Sequence, residues 1–214
     1  MQSDKMKTIS KTDLEQMEKQ ARTNLVNSLS GIQPANLIGS KSISGISNVA
    51  IFNSVMHIGA NPALMGFIMR PISVQRDTYQ NIVDIGYFSI NSVDVSIYKK
   101  AHQTSARYEV SEFEACRLNE WYSESIPVPY VKESKLKIGL KLESIIPIPL
   151  NETLLVIGSV QEIILEEDVL NKDNSIQHEK LENVGVVGLD TYYSMLKIAQ
   201  LTYAKPGKEA EEIN

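Results

Sequence analysis

The clearest pattern in the chain is a strict alternation in its second half. Leu136, Ile138, Leu140 and Leu142 alternate with Lys135, Lys137, Gly139 and Lys141, which predicts a strand with one wet face. Residues 153–165 are rich in β-branched and aliphatic side chains and predict a second strand, with Gly158 placed for a bulge or a barrel corner. Shorter β-type segments are predicted over residues 36–43, 49–57, 64–69 and 87–93.

Helical spacing is confined to a few places. Thr12 followed by Glu15 has capping-box spacing, and Leu14, Met17, Ala21, Leu25 and Val26 then recur toward Gly31, predicting one amphipathic helix. A short helix is predicted from Arg76, with Asp77 as its cap, Gln80 answering three residues on, and Gly86 ending it. Ser111 and Glu114 repeat the capping pattern, so residues 111–118 predict another helix with Phe113 and Cys116 facing inward. A C-terminal helix is expected from Asp190 through Tyr192, Tyr193, Leu196, Ile198 and Ala199, followed by a frayed polar tail. Many antiparallel-looking strands with few helices between them argue for a mainly β barrel with peripheral helices, against a doubly wound parallel sheet. The expected organisation is an N-terminal helical extension over residues 1–35, a barrel domain over 36–204 and a polar tail over 205–214.

Composition narrows the function classes. At 214 residues one domain is favoured over two independent cores. A net charge of -5 with scattered lysines and arginines provides no basic stripe, so nucleic acid is not an expected partner. The single cysteine, Cys116, excludes an internal disulfide and a cysteine zinc cluster, and fits a reducing, cytoplasmic setting. Residues 1–11 are polar, without the apolar stretch of a secretory signal. The longest apolar runs fall far short of the roughly 20 residues that cross a bilayer, so no membrane span is expected.

Several catalytic signatures are missing. The chain has no GxGxxG fingerprint, and Gly185-Val186-Val187-Gly188 lacks the glycine pattern of a phosphate-cradling loop. It has no HExxH, GxSxG or CxxC, and His57, His102 and His178 are too widely spaced to suggest a local metal site. No metal is expected.

One constellation does carry chemistry. Gly45-Ile46-Ser47-Asn48-Val49-Ala50 mixes small polar groups with a β-type run, so hydroxyls, an amide and free backbone N–H groups are expected along one ledge. Such a ledge suits a flat polar heterocycle whose edge alternates acceptors and a donor. Ser47-Asn48-Val49-Ala50, Asn61-Pro62, Arg76-Asp77-Thr78 with Asn81-Ile82, and Gly86-Tyr87-Phe88-Ser89-Ile90-Asn91 together resemble the flavin reductase-like, FMN-binding split-barrel family. The run His102-Gln103-Thr104-Ser105-Ala106-Arg107-Tyr108, then Ser111-Glu112-Phe113, is similar to its threonine and serine segment before an acidic-Phe pair. The likeness extends over residues 36–203.

The resemblance implies a six-stranded Greek-key split β-barrel, FMN-binding type, working as a homodimer with noncovalent FMN near the subunit interface. Position by position it implies flavin contacts from Ser47, Asn48, Val49, Ala50 and Asn53, the last standing where many members carry serine. Arg70, Arg76 and Thr78 are the candidates for the FMN phosphate, since a guanidinium fork matches phosphate oxygens and Thr78 lies where a helix begins. Lys100, His102, Thr104 and Ser105 are placed to close over the ring or ribityl chain. Trp121, Tyr122 and Tyr130 fit a packed loop or a dimer contact better than a stacking role. The expected function is an oxidoreductase passing electrons from NAD(P)H or a protein donor through FMN to a small-molecule or flavin acceptor. The alternative is a flavoredoxin-like electron-transfer protein without NAD(P)H turnover. Neither needs a dedicated acid or base, because positioning and exclusion of water do most of the protein's work.

Overall fold

The computed structural model describes residues 6–213. Residues 1–5 of the expected N-terminal extension, and Asn214 of the expected tail, lie outside the described residues. Seven strands hydrogen-bond into one antiparallel sheet: β1 (Asn36–Lys41), β2 (Ser47–Phe52), β3 (Met56–Ala60), β4 (Ala63–Met69), β5 (Tyr87–Ser92), β6 (Leu136–Ile148) and β7 (Thr153–Leu165). Their spatial order is β2-β1-β5-β6-β7-β4-β3. The sheet has one strand more than the expected six because residues 49–57, expected as a single strand, break at Ser54. Its hydroxyl bonds both the N–H and the C=O of Ile68 there, and the chain turns back as a β3–β4 hairpin with a cis Asn61–Pro62 peptide.

The long β6–β7 hairpin follows the alternation in the sequence. Its register slips between Ile157 and Gly158, the place marked for a bulge. A Cβ at Gly158 would come within 2.7 Å of the Phe88 ring, so only glycine lets β5 and β7 close around the core here.

β1 is buried on both faces, and consecutive residues point to opposite sides of it. Ile38 joins Phe67, Met69, Ile82, Phe88, Leu140 and Val156 in the barrel interior, where Phe67 makes edge contacts with Phe52 and Phe88. Leu37 faces outward into a second core with Val49, Val93, Ile97, Ala101, Phe113 and Val184. Two helices cover that face: α4 (Tyr98–Gln103), which the sequence pattern did not predict, and α5 (Glu112–Ala115), capped by Ser111 as expected. Phe113 and Cys116 are both buried. The α3 helix (Asp77–Ile85) packs on β1 and β2 and ends at Gly86, which adopts φ 77°.

Both ends of the chain depart from expectation. The N-terminal helix is split into α1 (Lys11–Gln16) and α2 (Lys19–Ser28), because Met17 is extended and Glu18 caps the second helix by accepting from the N–H groups of Gln20 and Ala21. The first cap is Ser10 with Asp13, two residues upstream of the expected Thr12 and Glu15. Neither helix buries a residue. The expected C-terminal helix is a strand, β9 (Thr191–Ser194), paired with β8 (Val184–Val187), which also pairs with the short Gln33–Pro34 strand. Tyr192 and Tyr193 are strong strand formers with a ready partner edge, and tertiary pairing overrides the helical spacing. The tail is ordered into a small hairpin joining Gln200–Leu201 to Glu212–Ile213. Among the described residues no helix is long and apolar enough to cross a membrane.

Candidate functional site

β2 ends the seven-stranded sheet, so one of its edges has no strand partner among the described residues. α3 covers one face of it and α5 the other. The alternation of a strand therefore divides residues 47–50 between two faces, correcting the single ledge expected from sequence. Ser47 and Val49 turn toward α5. The Ser47 hydroxyl donates to Glu120 at 2.5 Å and lies 3.2 Å from that of Ser111. The Val49 side chain is fully buried in the outer core, so only its backbone remains for any ligand. Asn48 turns the other way, toward α3.

Asn48 is the centre of a buried polar network. Its amide lies 3.1 Å from the Ser40 hydroxyl and 3.0 Å from that of Thr78. The orientation that satisfies both ends of the amide lets its oxygen accept from both hydroxyls and its nitrogen donate to Glu112 Oε2 at 3.2 Å. Asn81, one helical turn beyond Thr78, donates to Ser40 at 3.2 Å. Burial pushes the Glu112 carboxyl above the ordinary glutamate range, and the nearby charge of Asp77 pushes it the same way.

This network lies beneath a cleft of about 680 Å3 between the β1–β2 turn and α3. Ser42, Ile43 and Ser44 form one wall, Ile72, Val74 and Gln75 another, and Arg76, Asp77, Gln80 and Asn81 the helical side. The helix opens into the cleft without a cap. Arg76 is its N-cap residue and makes no side-chain cap hydrogen bond. The expected cap, Asp77, instead sits inside the first turn and accepts from Gln75 at 2.8 Å, because the extended Arg76 already holds the position that a capping side chain would need. An N-terminus left without a capping side chain presents N–H groups and the positive end of the helix dipole to the cleft. With Arg76 among the residues that line the cleft, the arrangement has the chemistry that suits an anion. Among the cleft-lining carboxylates, Asp77 and Asp84 are engaged by Gln75 and Gln80.

The remaining candidates fall into other surroundings. Thr78 is buried, with its hydroxyl on Asn48, so it braces the network from below the cleft. Ala50 is half-buried on β2. Asn53 donates to the carbonyl of Gly188 at 2.9 Å, and Arg70 is exposed at the end of β4. Lys100, His102, Thr104 and Ser105 belong to α4 and its C-terminal turn. Lys100 donates to the Arg117 carbonyl at 2.8 Å, His102 Nδ1 lies 3.1 Å from the Tyr192 hydroxyl, and Thr104 donates back to Ala101 at 2.7 Å. None of these four lines the cleft; Ser105 is exposed beside them. Ser40, Ser42, Ser44 and Glu112 were not picked out as site residues from the sequence. Glu112 was marked only as part of the acidic-Phe pair in the family resemblance.

The flavin reductase like domain model matches residues 32–184. A split-barrel protein of Shewanella frigidimarina, assigned as a flavin reductase, superposes with a TM-score of 0.90 at 41% identity, over 93% of this chain and 100% of that one. Nitrilotriacetate monooxygenase component B from Bacillus cereus has a TM-score of 0.82 at 24% identity, covering 93% and 100% of the two chains. Pseudomonas fluorescens 2-nitrobenzoate 2-nitroreductase has a TM-score of 0.81 at 20% identity, covering 95% and 99%; these last two share the fold. The chain belongs to the flavin reductase-like family, and its fold is the split barrel.

Proposed function

We propose that this family member binds FMN noncovalently and serves as an oxidoreductase, taking electrons from NAD(P)H or a protein donor and passing them to a small-molecule or flavin acceptor. The observation that carries this reading is the start of α3, which no side chain caps and which opens with Arg76 into the cleft beside β2. FMN, when bound, supplies a ring that accepts hydride and releases electrons singly or in pairs. The protein's own residues do the holding. The first-turn N–H groups of α3 and the Arg76 fork suit the phosphate, the hydroxyls of Ser42 and Ser44 suit polar chain atoms, and the outer edge of β2 offers backbone groups to a ring edge. Ser40, Asn48, Thr78 and Asn81 keep β1, β2 and α3 in fixed register under these contacts. The exposed Ile43, Ile72 and Val74 on the cleft walls provide apolar surface for a flat ligand.

We further propose that two copies pair. Leu196, Ile198 and Tyr203 stand exposed near the C-terminus, and α1 and α2 contain no fully buried residue, which supports a partner surface. The visible absorption spectrum of the purified protein tests the cofactor directly. Flavin bands, present as isolated or after adding FMN, are expected; failure to take up FMN would overturn the reading. Rapid mixing of the loaded protein with NADH and NADPH then separates the roles: bleaching within seconds marks a reductase, and reduction by dithionite alone marks an electron carrier.

A further inference from the structure

The Glu112 carboxyl meets the Asn48 network beneath the cleft, and its place in α5 does not explain it. Ser111 already caps that helix by accepting from the Phe113 N–H. The Glu112 carboxyl instead reaches around the free edge of β2, where it faces the Val49 N–H and the Asn48 amide nitrogen at 3.2 Å. Asp77 faces it from α3, and Cys116, the residue just past α5, is a titratable neighbour. Across Ser111, the Ser47 hydroxyl is held by Glu120. Two carboxyl groups, Glu112 and Asp77, thus flank the Asn48–Thr78 hydrogen bond that underlies the anion-binding end of α3.

We propose that Glu112 is a positioning residue that fixes the orientation of the Asn48 amide and makes cofactor binding proton-linked. The inference rests on the FMN reading above. A carboxylate here accepts from Asn48 and Val49 but adds negative charge beside the phosphate end of the cleft; a neutral carboxyl keeps the packing and removes that repulsion. Burial and Asp77 hold the neutral form to higher pH than an exposed glutamate would keep it. As pH rises through that titration, affinity for an anionic ligand falls, and binding within it draws a proton onto Glu112. The phosphate of FMN has the opposite linkage, since Arg76 favours its dianion and so releases protons. Net proton uptake is therefore a signature of the protein group.

The test is the dissociation constant of FMN for wild type and Glu112→Gln across a pH series that runs from the acid to the alkaline range. The glutamine keeps the shape and lacks the charge. Wild type is expected to bind as well as the variant at the acid end and about threefold to tenfold more weakly at the alkaline end. A ratio that stays constant with pH while FMN still binds would overturn this inference alone. Wild-type protein that takes up no FMN at any pH would overturn the cofactor reading and this inference with it. Calorimetry of FMN binding to both proteins, in buffers of different ionisation enthalpy and at the pH where their affinities diverge, reads the same linkage. Wild type is expected to take up more protons per FMN than the variant, and an equal proton balance would count against the proposal.

Discussion

Asn48 and Tyr130 each anchor a buried polar network, and the two networks differ in what lies next to them. Tyr130 is fully buried and donates to Glu162 at 2.6 Å. Ser123 donates to the same carboxylate, and Ser89 and Gly39 close in on the neighbouring Pro129 carbonyl. These bonds tie the segment before β6 onto the barrel. The Asn48 network has equally good partners, yet it abuts a helix start that lacks a side-chain cap and a cleft of about 680 Å3. Buried polar bonds alone do not mark a site, since both networks have them. Backbone donors aimed at open space distinguish the second, because a fold rarely leaves such groups without a partner to meet.

The comparison breaks first at Tyr130. Tyr130→Ala removes an aromatic side chain packed against Trp121 at 5.6 Å between ring centroids and strips Glu162 of a partner. A loss of about 3–5 kcal/mol in folding free energy is expected from urea denaturation, with FMN affinity of the folded fraction unchanged. Loss of FMN binding at full folding would show that the closed network also serves the ligand.

Arg76→Ala acts in the opposite way. Among the described residues its only side-chain hydrogen bond is a long one to the Pro71 carbonyl, 3.4 Å, so stability should hold within about 0.5 kcal/mol. FMN affinity should fall about tenfold to a hundredfold, the worth of a charge-assisted contact of roughly 1.5–3 kcal/mol. Riboflavin, which lacks the phosphate, should lose little. Equal weakening of both ligands would remove Arg76 from the phosphate site.

Asn48→Ala crosses the two cases, because this residue belongs to the fold and to the floor of the site. Leaving Ser40 and Thr78 without their amide costs about 1–3 kcal/mol. FMN affinity should fall as well, because Thr78 sits in the first turn of α3 and loses its brace. If melting moves and FMN titration does not, the Asn48 network is as purely structural as that of Tyr130.

These distinctions were only partly legible in the sequence. The β6–β7 hairpin showed because Leu136, Ile138, Leu140 and Leu142 alternate with wet positions, and Gly86 marked the end of α3 because a left-handed residue was needed there. The α4 helix was missed because its start is organised by Asp94, whose carboxylate accepts from the N–H groups of Ser96 and Ile97 before any helical residue appears. The tyrosines of β9 spaced like a helix and folded as a strand once β8 offered its edge. At the site, Arg76 and Asn48 stood out by residue type. Glu112 did not, since its approach to β2 depends on how α5 docks, and docking is long-range information that no local spacing encodes. The split of residues 47–50 between two faces was implicit in strand geometry but invisible until β2 was known to be an edge.

The smallest expected effect is the most diagnostic of the electrostatics. A carboxyl whose proton affinity is raised by folding favours the native state below its unfolded value, 4.5 for glutamate, and that contribution is lost as pH rises through the raised native value. Glu112 follows this sign because burial, then Asp77, outweigh the backbone N–H groups that favour its charge. Glu112→Gln cannot ionise and loses nothing over the same window. The stability of the ligand-free variant relative to wild type should therefore climb as pH rises above 4.5 and level off once the native carboxyl has ionised. The group is only half buried, so the climb should stay below about 1.4 kcal/mol, the free energy of a tenfold change in proton affinity. Denaturation curves of both proteins across the acid and neutral range measure it. A difference that falls with pH would mean that the Val49 and Asn48 donors dominate, that Glu112 is held ionised, and that the Asn48 network tolerates a fixed negative charge beneath the cleft.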